Sequence, residues 1–179
     1  MVWKPSSLLA GISILGMTVS GQIVARTYVS TEEVKQIIFP GELLTHYPIK
    51  ISKEIAVEMK KQSSVSHALD PDKIWKTAHG AWLVIDEVVG KHEMIKYALG
   101  INQRGQIVGL EIMEYNESYG YEVMEKKWRG QFLNKTSKDQ IKLNHDIENI
   151  TGATLSSKHV TDGVKRIMVL YQTTLVAVR

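Results

Sequence analysis

The sequence predicts a single α+β domain with a small antiparallel sheet and flanking helices, preceded by an export signal or N-terminal anchor. Three observations carry this expectation. Short runs rich in β-branched and aromatic residues follow one another from Ala81. Segments with three- and four-residue apolar spacing lie on both sides of them, and no repeat or linker interrupts the chain between Arg26 and Arg179. At 179 residues the chain can enclose one sizeable core, and two large domains do not fit.

Residues 1–25 are read as a signal peptide or membrane anchor. Lys4 is the only charge before Arg26, and SSLLAGISILGMTVSGQIVA between them is apolar and small. A basic start, an apolar centre and small residues at the end suit export with cleavage after Gly21 or Ala25. The uncharged run from Pro5 to Ala25 also reaches the ~20 residues that suffice to span a bilayer, so a retained anchor stands beside it. Either reading puts the remaining domain, residues 26–179, outside the cytoplasm, in a periplasmic or extracytoplasmic setting. A cytosolic amphipathic helix fits poorly, because the segment has no polar face to give to water.

The elements follow in order. In STEEVKQIIF, Ser30 stands three residues before Glu33, a capping-box pattern, and Val34, Ile37 and Ile38 fall at helical spacing until Pro40 and Gly41 stop the helix. A second helix begins near Ser52 and dissolves into QSSVSHALDPDK. The runs WLVIDEVVG, MIKYALGI and QIVGLEIMEY read as three antiparallel strands. Gly105 in Asn102-Gln103-Arg104-Gly105 supplies the positive backbone dihedral of a hairpin between the second and third. YEVMEKKWRGQFL reads as a short or kinked helix that buries Val123, Trp128 and Phe132, with Gly130 interrupting it. The last helix carries Val160, Val164, Ile167, Met168, Tyr171 and Leu175 on one face, with Ser156 or Ser157 expected as its cap.

Composition excludes several classes of function. The chain has no cysteine, which removes thiolate-held iron–sulfur clusters, Cys-based zinc sites, c-type haem attachment and disulfides. A formal charge of +3, with no long basic run, argues against nucleic acid as a partner. His145 and Asp146 lack a second pair of metal-spaced ligands, so no metal is expected. Ser156 and His159 lack a G-x-S-x-G elbow and a recognisable acidic third member, which disfavours a serine hydrolase.

The stretch Ile150-Thr151-Gly152-Ala153-Thr154-Leu155-Ser156-Ser157 places small residues and hydroxyls just before the last helix. Unpaired N–H groups and the positive end of the helix dipole favour an anion there, Gly152 and Ala153 let a bulky group approach, and Thr154 offers its oxygen to phosphorus. An ordinary loop whose hydroxyl caps the helix has the same local sequence. Other marked residues also have two readings. Lys91 and His92, in a turn with Glu93, suit a cation beside an electron-rich bound ring or a solvated polar turn. Glu117, Ser118, Tyr119 and Gly120 form a polar loop in which Tyr119 or Tyr121 suits ring stacking, with core packing the duller role. His159 suits a phosphate contact from the first helical turn or a plain surface position. Trp128 and Phe132 read as core.

The segment DIENITGATLSSKHVTDGVKRIM resembles the flavin-attachment region of FMN-binding domain proteins, where Ser/Thr-Gly-Ala-Thr is followed by another hydroxyl residue. DEVVGKHEMIKYALGI and EYNESYGYEVMEKKWRGQFLNKT resemble two further stretches of that family, so the likeness covers about Leu83 to Met168. Similar modules form extracytoplasmic parts of the C subunit of the sodium-pumping NADH:quinone reductase and the G subunit of the Rnf complex. The resemblance makes Thr151, Gly152, Ala153 and Thr154 the attachment tetrad, preceded by Asp146 and followed by Leu155 and Ser156, with covalent FMN on Thr154 as a phosphoester. Thr151 stands where many relatives have Ser. It implies maturation by a separate flavin transferase that uses FAD and magnesium, and a membrane or extracytoplasmic redox partner. Electron transfer is the expected function, as a relay module more than a complete enzyme. A flavin-dependent reductase of a small acceptor and an exported binding module without cofactor are the alternatives.

Overall fold

The computed structural model describes residues 28–178, so the expected export signal or anchor lies outside the described residues. The elements run α1 (Thr31–Ile38), β1 (Leu44–His46), α2 (Lys53–Ser63), β2 (Ile74–Thr77), β3 (Trp82–Val89), β4 (Met94–Ile101), β5 (Ile107–Tyr115), α3 (Lys126–Arg129) and α4 (Thr154–Thr173). Single 3-10 turns at Tyr121–Met124 and Gly130–Phe132 flank α3, and another at Leu175–Ala177 follows α4.

Capping chemistry starts the first two helices. Ser30 accepts from the Glu33 backbone N–H while the Glu33 carboxylate accepts from the Ser30 N–H at 2.8 Å, the reciprocal box expected from the sequence. Ser52 caps α2 by accepting from the Ile55 N–H.

The sheet is antiparallel, in the order β1-β2-β3-β4-β5. Its last three strands are the expected ones, and Gly105 takes φ +81° in the turn between β4 and β5. The expectation of three strands is corrected to five among the described residues. β1 has only three residues, and β2, Ile-Trp-Lys-Thr, carries too little pattern to be read without β3 beside it.

Both faces of the sheet are covered, which explains why β3 reads as a nearly continuous apolar run. Trp82, Val84, Val88, Ile95, Tyr97, Leu99 and Ile101 pack with Val160, Val164, Ile167 and Met168 of α4 in the main core. On the opposite face Leu83, Ile85, Ala98 and Met113 meet Val34 and Phe39 in a smaller core under α1. Gly100 and Gly109 are partners across β4 and β5, and Ile38 occupies the space above them. A Cβ at Gly109 would lie 3.1 Å from Ile38 Cγ1.

The segment after β5 is broken into short helical pieces, as expected. Val123, Trp128 and Phe132 are buried, and the Trp128 and Phe132 rings meet edge-on at 5.2 Å. Two expectations for the last helix need correction. It starts earlier than its serines suggest: Ala153 is the N-cap, Thr154 is the first helical residue, and Ser156 and Ser157 are buried inside the first turns rather than capping them. It also ends at Thr173, so the buried Leu175 belongs to the following 3-10 turn. Among the described residues, no helix is long and apolar enough to cross a membrane.

A buried ion pair fastens α4 to β3. Arg166 is 1% exposed and Asp86 5%. Asp86 Oδ2 accepts from Arg166 Nε at 3.1 Å, from Arg166 Nη2 at 2.5 Å and from Tyr97 Oη at 2.8 Å. Arg166 also donates to the His67 and Glu87 carbonyls. Burial, then the Asp86 charge, pushes the Tyr97 hydroxyl well above its ordinary pKa, so it keeps its proton and donates.

Candidate functional site

Three chain segments far apart in sequence converge at the N-terminal end of α4. The β3–β4 turn brings Lys91 and His92, the loop after β5 brings Glu117, Ser118 and Tyr119, and the helix start brings Gly152, Ala153, Thr154, Leu155 and Ser156. Together they line a cleft of about 370 Å3, within the ~300–1,000 Å3 usual for small-molecule sites.

Glu117 ties the first two segments together. Glu117 is buried, and its Oε1 accepts the backbone N–H groups of Lys91, His92 and Glu93, the His92 bond measuring 2.6 Å. Burial works against its charge, but the bonds from His92, Glu93 and Lys91 outweigh that effect and hold the carboxyl below its ordinary pKa. The carboxylate shapes the turn that presents Lys91 and His92. A group with a depressed folded pKa stabilises above its unfolded value, near 4.3, and loses that contribution as pH falls through the folded value. We therefore expect acid titration below about pH 4 to loosen this turn before the sheet. Glu117→Ala, which removes the acceptor, should cost about 1–3 kcal/mol in urea unfolding and abolish that acid step.

Gly120 and Tyr115 join the second segment to the third. Gly120 has φ +89°, and a Cβ there would meet Ala153 Cβ and Tyr115 Oη, each at 2.6 Å, so only glycine lets the loop sit this close to the helix start. The Tyr115 hydroxyl donates to the Tyr119 carbonyl at 2.5 Å and lies 3.1 Å from Ser156 Oγ. Of the two tyrosines weighed for stacking, Tyr121 packs against the Tyr115 ring at 5.5 Å, whereas Tyr119 is 79% exposed and lines the cleft.

The helix start suits an anion. Ala153 has no side-chain acceptor to offer as N-cap, so the first-turn N–H groups of Thr154, Leu155 and Ser156 are left for what enters the cleft. Gly152 takes φ +86° and would meet nothing within 4 Å if it carried a Cβ, which leaves an open approach to the backbone. Thr154 is exposed, and its Oγ1 accepts from Asn149 Nδ2 at 3.2 Å. Cationic Lys91, first-turn amides and a reachable hydroxyl are a donor set that fits a flavin phosphate, and exposed Tyr119 and Leu155 offer apolar surface for a ring.

Three of the residues marked in the sequence stand elsewhere. Thr151 is exposed in the turn before the helix and is not among the cleft-lining residues. His159 sits in the second helical turn rather than the first, and its Nδ1 lies 2.5 Å from the Val89 carbonyl, in a neighbouring groove with Ser64–His67. Asp146 is also away from the cleft. It accepts from Lys135 Nζ and from the Ile141 and Lys142 N–H groups, organising the 135–146 loop. Sequence reasoning missed Asn149, whose only signal is a carboxamide one residue before Ile150, and Tyr115, which reads as an ordinary strand aromatic.

A family model described as an FMN-binding domain matches residues 90–169. Residues 90–169 are thus similar to an FMN-binding domain. Every residue lining the cleft falls inside the matched span, which runs from the β3–β4 turn into α4. The chain is also similar to the G subunit of the Na(+)-translocating ferredoxin:NAD(+) oxidoreductase complex of Acetobacterium woodii, at 31% identity over 87 residues. That alignment covers 44% of this chain and 42% of the relative, so the matched stretch spans less than half the length of either protein.

Proposed function

We propose that this chain is an extracytoplasmic electron-transfer module whose FMN is esterified through its phosphate to Thr154. The observation that carries the reading is the exposed Thr154 hydroxyl at an uncapped helix N-terminus, inside the cleft shared with Lys91, His92, Glu117 and Tyr119. The family match supports the cofactor. The relative's place in an oxidoreductase complex supports a redox role beside a membrane partner. The apolar segment before Arg26 supports export or anchoring.

When bound, the flavin supplies reversible one- or two-electron chemistry. The chain's own residues hold and orient it. First-turn amides of α4 bind the phosphate, and Lys91 places positive charge beside His92 in the same cleft. Glu117 keeps their turn in shape, and Gly120 brings the two loops close enough to form one cleft. A covalent tether suits a compartment where free flavin is dilute, because a reversible site would empty by mass action. The domain offers a position for the ring and a route for electrons, which makes it a relay more than a complete enzyme.

The test is expression with a flavin transferase, followed by denaturation and ultrafiltration. Yellow colour and flavin fluorescence should stay with the denatured chain. Flavin released into the filtrate would leave FMN binding standing and overturn the ester, and a colourless chain would overturn the cofactor.

A further inference from the structure

Asn149 is exposed and lies outside the residues lining the cleft, yet among the described residues it is the side chain that holds the Thr154 hydroxyl. Its carboxamide bridges two hydroxyls five and eight residues ahead. Oδ1 accepts from Ser157 Oγ at 2.9 Å, and Nδ2 donates to Thr154 Oγ1 at 3.2 Å. Ser157 is completely buried, and its Oγ also lies 3.0 Å from the Ala153 carbonyl and 3.2 Å from that of Thr154. The anchor of the bridge is therefore fixed in the packed helix, and the free end of the amide reaches the surface.

We propose that Asn149 is a positioning residue for modification of Thr154, holding Oγ1 toward an incoming phosphorus. This rests on the reading of Thr154 as the attachment residue. A threonine hydroxyl at a helix start ordinarily turns between rotamers and between acceptors. With Nδ2–H donated into one lone pair, Oγ1 has a fixed direction and its proton points away from Asn149. The same donor stabilises negative charge that gathers on Oγ1 as the proton leaves. In the transfer, Thr154 Oγ1 forms a bond to the FMN phosphorus of flavin adenine dinucleotide, and the bond from that phosphorus to the AMP oxygen breaks. AMP departs as leaving group, the hydroxyl proton passes to a base on the transferase, and no electron changes hands. A residue that fixes the nucleophile raises the rate of the bonded complex and leaves donor binding to the transferase alone.

The experiment follows labelling of the full-length chain by a magnesium-dependent flavin transferase and flavin adenine dinucleotide, read as the modified fraction of the Thr154 peptide by mass. Thermal unfolding of the unmodified chain is recorded alongside. Asn149→Ala should slow labelling at saturating dinucleotide roughly tenfold, with an unchanged half-saturating concentration and a melting temperature lowered by only about a few degrees for the two lost hydrogen bonds. Ser157→Ala, which frees the anchor but keeps the donor, should slow it less. Labelling of Asn149→Ala as fast as the parent, or slowed no more than that of Ser157→Ala, would overturn the inference and leave attachment at Thr154 intact. A parent chain that is never labelled on Thr154 would overturn both.

Discussion

Asp86→Ala lowers the unfolding free energy by about 3–5 kcal/mol, the loss expected when one partner of a buried ion pair is removed. The variant leaves Arg166 charged inside the core, with the neutral His67 and Glu87 carbonyls and the His67 ring nitrogen to answer it, and removes the acceptor from Tyr97. Native domains hold only about 5–15 kcal/mol, so this is a large share of the total. The loss belongs mainly to the stranded charge. Replacing both partners by apolar residues, as in Asp86→Leu with Arg166→Met, should therefore cost less than Asp86→Ala alone. Urea midpoints of the single and double variants check this. A double variant less stable than Asp86→Ala would show that the pair itself stabilises the helix–sheet contact.

Thr154→Ala abolishes the covalent flavin and leaves the fold almost unchanged. The residue is exposed and its hydroxyl caps nothing, because the N-cap is Ala153, so its removal costs only the bond from Asn149, about 0.5–1 kcal/mol. Alanine is also the better helix former at the first helical position. The variant should melt close to the parent, and a denatured sample should carry no flavin fluorescence. It retains the first-turn amides, Lys91 and His92, and so should still take up free FMN weakly and release it on denaturation. Persisting covalent flavin in this variant would place the ester elsewhere.

What could be read from the sequence was local chemistry. The Ser30–Glu33 box, the hairpin at Gly105 and the apolar face of α4 depend on residues a few positions apart, and the structure has all of them. β1 and β2 escaped because their identity comes from partners: Leu44 to His46 is a strand only beside Thr77 to Trp75. The serine cap on α4 was misplaced because Ser156 and Ser157 are themselves buried and bond other side chains, Tyr115 for one and Asn149 for the other, which no local pattern shows. The cleft was legible in pieces. Lys91, Glu117 and Thr154 each stood out, but Glu117 as the tie between two loops appears only once β3, β4 and β5 are paired. Asp86 shows the same limit, since its partner Arg166 lies 80 residues away on a helix whose apolar stripe draws the eye past it.

The central claim, that Thr154 bears FMN as a phosphoester, is tested most directly by intact mass and peptide mapping of chain exported beside a flavin transferase. The account predicts one FMN less one water, carried on the peptide that contains Thr154. An unmodified mass, or the same addition on any other residue, would contradict it.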